Sequence, residues 1–182
     1  MASQWRVLLM LLLLTFSVGG WADDRVDLVK NGDFSAGKLH WKLHRCFLVG
    51  NTVEFSNRQP DYIQLSQKIP HSLPAGRETV LEADVEVSDP YEVTSEKYQS
   101  QLLVKYYDVN GKNIWGKNPR GKTTMFTPTD GKKTFSFRSF VPAETAYMQV
   151  ILNSHQPLQL KIHAVRLLVK LSPEERKSYK ID

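Results

Sequence analysis

The chain has 182 residues, with 24 Lys and Arg against 19 Asp and Glu, and a single cysteine. That length holds one sandwich-sized core behind a targeting segment, and a net charge of +5 is too diffuse to argue for nucleic acid. Cys46 stands alone, so no internal disulfide framework exists; it reads as a small buried side chain, with an intermolecular bridge as the alternative.

Taken in order, residues 1–22 have the make-up of a secretory signal. Arg6 supplies the positive start, Val7 to Phe16 the apolar run, and Gly20-Trp21-Ala22 a small-x-small cleavage site. The apolar run is short for a membrane span, so cleavage after Ala22 is expected, with an uncleaved anchor as the alternative. The remainder carries 23 basic and 19 acidic residues, or +4, a mild excess compatible with an anionic polysaccharide or a membrane surface. The expected location is secreted or periplasmic, and the lack of any N-x-S/T sequon fits a bacterial exported protein.

Residues 23–171 read as one β-domain and 172–182 as a short tail, helical or loose. Strands are expected over Arg25–Lys30, Leu39–Leu48, Thr52–Ser56, Tyr62–Ile69, Glu78–Ser88, Tyr98–Val109, Lys133–Val141, Ala146–Asn153 and Leu158–Val169. They are set apart by Gly, Pro, Asn and Asp, and Asn110-Gly111 is a hairpin signal. No internal repeat or dividing linker interrupts them. The pattern is all-β, most simply a sandwich.

Alternation assigns faces. Leu81, Ala83, Val85 and Val87 share one side, and Glu82, Asp84 and Glu86 the other. Leu102, Val104 and Tyr106 oppose Gln99, Gln101, Lys105 and Tyr107; Met148, Val150 and Leu152 oppose Tyr147, Gln149 and Asn153. The first set of each pair is the expected core. The second sets are rich in amides, acids and tyrosines.

The stretch Leu28-Val29-Lys30-Asn31-Gly32-Asp33-Phe34-Ser35-Ala36-Gly37, closed by Trp41, resembles the L-x-x-N-G-D-F-E-x-G…W opening of carbohydrate-binding modules of families four, nine and twenty-two. The resemblance continues more loosely to about Lys170. It implies a galactose-binding-like jelly roll of two antiparallel sheets, an oligo- or polysaccharide partner on a concave sheet face, and Phe34 and Trp41 as corner packing. Relatives commonly hold a structural calcium. The acid after the motif's Phe is Ser35 here, and His163-Ala164 stands where an Asp pair is usual, so neither calcium nor any other cofactor is expected.

Sugar recognition needs flat aromatic surface for C–H faces and planar polar groups for hydroxyls. If the three strands are neighbours, Glu82, Asp84, Gln99, Gln101, Tyr107, Tyr147 and Gln149 supply both on one face, with Trp115 at its rim. An ordinary solvated sheet face would also be polar. Lys105 would favour an acidic sugar, but Glu82 and Asp84 would oppose one, so a neutral glycan is expected.

Gly116-Lys117-Asn118-Pro119-Arg120-Gly121-Lys122-Thr123 matches the phosphate-loop pattern, but Thr124 to Pro128 make a poor helix and no βαβ unit surrounds the match. It is a basic loop, and no nucleotide partner is expected. Five His residues lack metal spacing, no Ser elbow is present, and Glu82, Asp84 and Glu86 on one strand do not face each other across a cleft. A non-catalytic binder is expected. The competing class is a protein-interaction or structural module of an exported or envelope assembly.

Overall fold

The computed structural model describes residues 25–57, 62–70, 73–88, 100–114, 124–125, 129–154 and 158–179. Among these residues, eleven strands and one helix succeed one another: β1(Arg25–Asp27), β2(Lys42–His44), β3(Phe47–Val49), β4(Thr52–Asn57), β5(Ile63–Ile69), β6(Glu78–Ser88), β7(Ser100–Tyr107), β8(Thr124–Met125), β9(Lys133–Phe140), β10(Tyr147–Ser154), β11(Leu158–Lys170) and α1(Pro173–Tyr179). The first sheet runs β3-β4-β11-β6-β9, with β1 also on β11; the second runs β2-β5-β10-β7-β8. Every pairing is antiparallel. From β4 onward the chain crosses from sheet to sheet at almost every connection, which makes the jelly-roll sandwich.

The core lies between the sheets, and alternation builds it. Leu81, Ala83, Val85 and Val87 of β6 are buried against Leu102, Val104 and Tyr106 of β7 and Met148, Val150 and Leu152 of β10. Tyr106 carries its hydroxyl into this layer. It donates to Ser139 Oγ at 2.9 Å and lies 3.3 Å from Thr79 Oγ1, so a second-sheet side chain is satisfied by two first-sheet strands.

The Asn-Gly corner explains its own residues. Asn31 adopts φ 51°; its Oδ1 accepts from the Ala36 N–H, and its Nδ2 donates to the Gly37 and Leu39 carbonyls. Gly32 is needed for close approach, since a Cβ there would lie 2.2 Å from the Val165 carbonyl oxygen. Phe34 and Trp41 pack at 5.5 Å between ring centroids, and Trp41 Nε1 donates to the Asn31 carbonyl at 2.9 Å.

Two expectations need correction. Leu39–Leu48 is two strands rather than one: Arg45 takes φ 56°, and the chain leaves β2 in the second sheet to enter β3 in the first. A two-residue β8 pairs with β7 where no strand was expected. The start of the tail forms α1, capped by a reciprocal Ser172–Glu175 box: Glu175 N–H donates to Ser172 Oγ at 3.2 Å and Ser172 N–H to Glu175 Oε2 at 2.7 Å. Glu175 also pairs with Arg77, which ties the helix to the start of β6.

Candidate functional site

The outward side of the second sheet collects the polar groups. Across β2, β5, β10 and β7, register places His44, Gln64, Asn153 and Gln101 in one row, and Lys42, Ser66, Ile151 and Leu103 in the next. Lys68, Gln149 and Lys105 come next, and Tyr147 opposite Tyr107 closes the face. Gln101, Tyr107, Tyr147 and Gln149 therefore come together as expected. Gln99 and Trp115, like the Gly116–Thr123 loop and the signal segment, lie outside the described residues.

Glu82 and Asp84 do not join them. Their strand β6 sits in the first sheet between β11 and β9, so both carboxylates point out of the opposite side of the sandwich. There they are matched to bases. Arg166 reaches Asp84 Oδ1 at 2.9 Å and Glu82 Oε2 at 3.3 Å, and the Thr134 hydroxyl donates to Asp84 Oδ1 at 2.7 Å. Burial works against the Asp84 charge, but the Thr134 hydroxyl and the Arg166 guanidinium outweigh it and hold the carboxyl below its ordinary value.

Around the tyrosines the geometry is a wall more than a platform. The Tyr107 and Tyr147 rings stack at 4.8 Å with 9° between planes, and Lys68 Nζ lies 3.9 Å from the Tyr147 ring centre. Lys68 and Tyr107 come from strands on either side of β10, so Tyr147 is held between a cation and a ring. The Tyr107 hydroxyl donates to Gln149 Oε1 at 3.0 Å. Burial, and then Tyr147, push the Tyr107 phenol up, which keeps it a donor at neutral pH.

The middle of the face is small and apolar. Leu103, Ile151 and Ser66 point outward by register yet are buried. Leu103 and Ile151 stand apart from the main core cluster. Beside them Gln64 Nε2 donates to Ser66 Oγ at 3.1 Å, and Tyr62 donates to Gln64 Oε1. The Asn153 amide hydrogen-bonds Tyr62, while its own Oδ1 is buried with no partner among the described residues. An acceptor stranded in that way costs free energy on the order of 1–3 kcal/mol unless a donor arrives.

At the β2 end a cavity of about 220 Å³ opens, lined by Lys30, His40, Lys42 and Lys68 over Leu28, Ile69 and Pro70. Gln67 fixes its back wall, accepting the Lys30 N–H and donating to the Lys30 carbonyl, both at 2.8 Å. The contributions of β2 and β5 were missed in the sequence. Inward Ile63, Leu65 and Ile69 do imply outward Gln64, Ser66 and Lys68, but nothing local says that β5 lies beside β10. His163 Nε2 lies 2.7 Å from Glu86 Oε1, and the backbone bulges there.

No protein-family model matches this chain, and no curated protein matches it. Solved structures share its sandwich at low identity, which establishes the fold. The enzymatically active domain of tailspike protein 4 from bacteriophage CBA120 aligns at 13% identity and TM-score 0.59, over 79% of this chain and 22% of that one. This chain thus spans only about a fifth of the tailspike domain's length. The N-terminal CBM22-1–CBM22-2 tandem of Paenibacillus barcinonensis Xyn10C aligns at 10% identity and TM-score 0.53, over 84% and 49%. The N-terminal cellulose-binding domain of Cellulomonas fimi β-1,4-glucanase C aligns at 12% and 0.51, over 79% and 97%.

Proposed function

We propose that this chain binds a glycan on the outward face of the second sheet, without turning it over, outside the cytoplasm. The observation that carries the reading is the outward row of amides Gln64, Asn153 and Gln101 on the same sheet face as the stacked Tyr107 and Tyr147. A sugar hydroxyl is a donor of the right size, and neighbouring amides can both donate and accept. Two of the structures that share the sandwich are named for carbohydrate or cellulose binding, which supports a saccharide as the partner. The engagement of Glu82 and Asp84 with Arg166 supports binding over hydrolysis. The signal-like first 22 residues support export.

A glycan array followed by titration calorimetry tests the reading. Asn153→Ala and Tyr147→Ala should each weaken binding by about 1–2 kcal/mol, while Asp84→Asn on the opposite sheet and Lys177→Ala on α1 should not. Equal affinities in all four variants would remove this face as the site. A protein-docking role is favoured by a different feature, exposed Phe47 and Val49 (65% and 52%) on the edge strand β3. It predicts a partner lost in Phe47→Ser with glycan binding intact.

A further inference from the structure

We propose that the glycan taken by this face is acidic, a polysaccharide carrying one carboxylate on successive sugar rings; the proposal rests on the glycan-binding reading above. A neutral ligand was expected because Glu82 and Asp84 would oppose a negative charge. That ground is gone, since both lie on the other side of the sandwich. Among the described residues, the outward strand positions of β2, β5, β10 and β7 hold Lys42, Lys68 and Lys105 and no acid at all.

The first sheet is different. Three of its outward cations are matched: Lys161 to Glu54 at 3.8 Å, Arg138 to Glu78 at 3.5 Å, and Arg166 to Glu82 and Asp84. The lysines of the second sheet have no such counter-charge among the described residues of their own face, and the cavity at the β2 end adds Lys30 and His40. A face whose described charges are all of one sign concentrates ligands of the other. The charges are also spread singly. Lys68 and Lys105 flank Gln149 in one row, two interstrand spacings or about 10 Å apart, and Lys42 lies one row along. Isolated ammonium groups suit one charge per ring, whereas a polysulfated chain would call for clustered cations. Lys68 is already held over Tyr147, so its position is set before a ligand arrives.

The test is calorimetry on the purified protein with oligogalacturonate and a cello-oligosaccharide of equal length, and dextran sulfate as a third arm. Oligogalacturonate should bind about tenfold tighter than the neutral chain, the combined effect of three exposed ion pairs. Raising NaCl from about 20 to about 300 mM should weaken the acidic ligand alone. The triple variant Lys42→Gln, Lys68→Gln, Lys105→Gln should erase the preference; the double variant Lys42→Gln, Lys105→Gln, which leaves Lys68 over Tyr147, should erase most of it at unchanged neutral-glycan affinity and melting temperature, and Lys177→Gln should change nothing. Should the neutral chain bind as well as the acidic one and the triple variant be indifferent, the inference falls while the glycan reading stands. It also falls if dextran sulfate binds tightest and Lys177→Gln loses as much as any lysine of this face, because charge alone would then be attracting ligands. If no saccharide of either kind binds, the glycan reading itself is wrong and this inference goes with it.

Discussion

Gly32 and Val165 meet backbone to backbone. The Val165 N–H donates to the Gly32 carbonyl at 2.9 Å, and a Cβ on Gly32 would stand 2.2 Å from the Val165 carbonyl oxygen. The opening corner is thereby laid against the middle of β11, just past the bulge at His163. Backbone cannot swing aside as a flexible side chain can, so the corner tolerates only hydrogen at that position.

Gly32→Ala should therefore destabilise the fold by at least about 3 kcal/mol. Gly76→Ala is the control. Its position has φ 76° but nothing within 4 Å of the added Cβ, so only the backbone penalty of about 1 kcal/mol applies. Urea unfolding of the two variants compares them, and equal losses would mean that the corner can shift.

Tyr106→Phe should cost about 1–2 kcal/mol. It keeps the packed ring and removes the hydroxyl that satisfies Ser139 and approaches Thr79 across the sandwich. Adding Ser139→Ala should recover part of the loss, because the orphaned group is then gone as well. A double-mutant cycle with no coupling would show that the hydroxyl works alone.

The Asp84–Arg166 pair predicts a pH dependence. The folded pKa of Asp84 lies below its ordinary 3.8, so the pair stabilises the fold above that value and the contribution is lost as pH falls through the folded pKa. Asp84→Asn should cost on the order of 1 kcal/mol at neutral pH, since the pair is partly exposed. The difference from the unmodified protein should vanish in strong acid. Stability curves that stay parallel down to that range would contradict the assignment.

Cys46 is expected to be unreactive. Burial pushes its thiol up to about 11, and its Sγ lies 3.5 Å from the Gln64 carbonyl oxygen. At mildly alkaline pH a disulfide reagent should label it about two orders of magnitude more slowly in the native protein than in denaturant. Fast native labelling would mean that the β2–β3 switch opens readily.

What the sequence determined by itself was local. Period-two alternation told which side of β6, β7 and β10 faces inward, because successive side chains must point to opposite faces and only one face can exclude water. The Asn31 turn and the packing of Phe34 against Trp41 were legible for the same reason, since their chemistry acts within a few residues; that Gly32 is fixed by Val165, far along the chain, was not. Which strands lie side by side was decided only by the tertiary structure. Sheet membership depends on crossovers and on pairings between residues such as Val150 and Val104, far apart in the chain, and an outward acid on β6 looks like an outward acid on β7 until those pairings exist. That is why Glu82 and Asp84 could be read as facing out, but not out of which sheet. It is also why the row of lysines, made by bringing β2, β5, β10 and β7 together with no acid among their described outward residues, is a property of the fold and of no single segment.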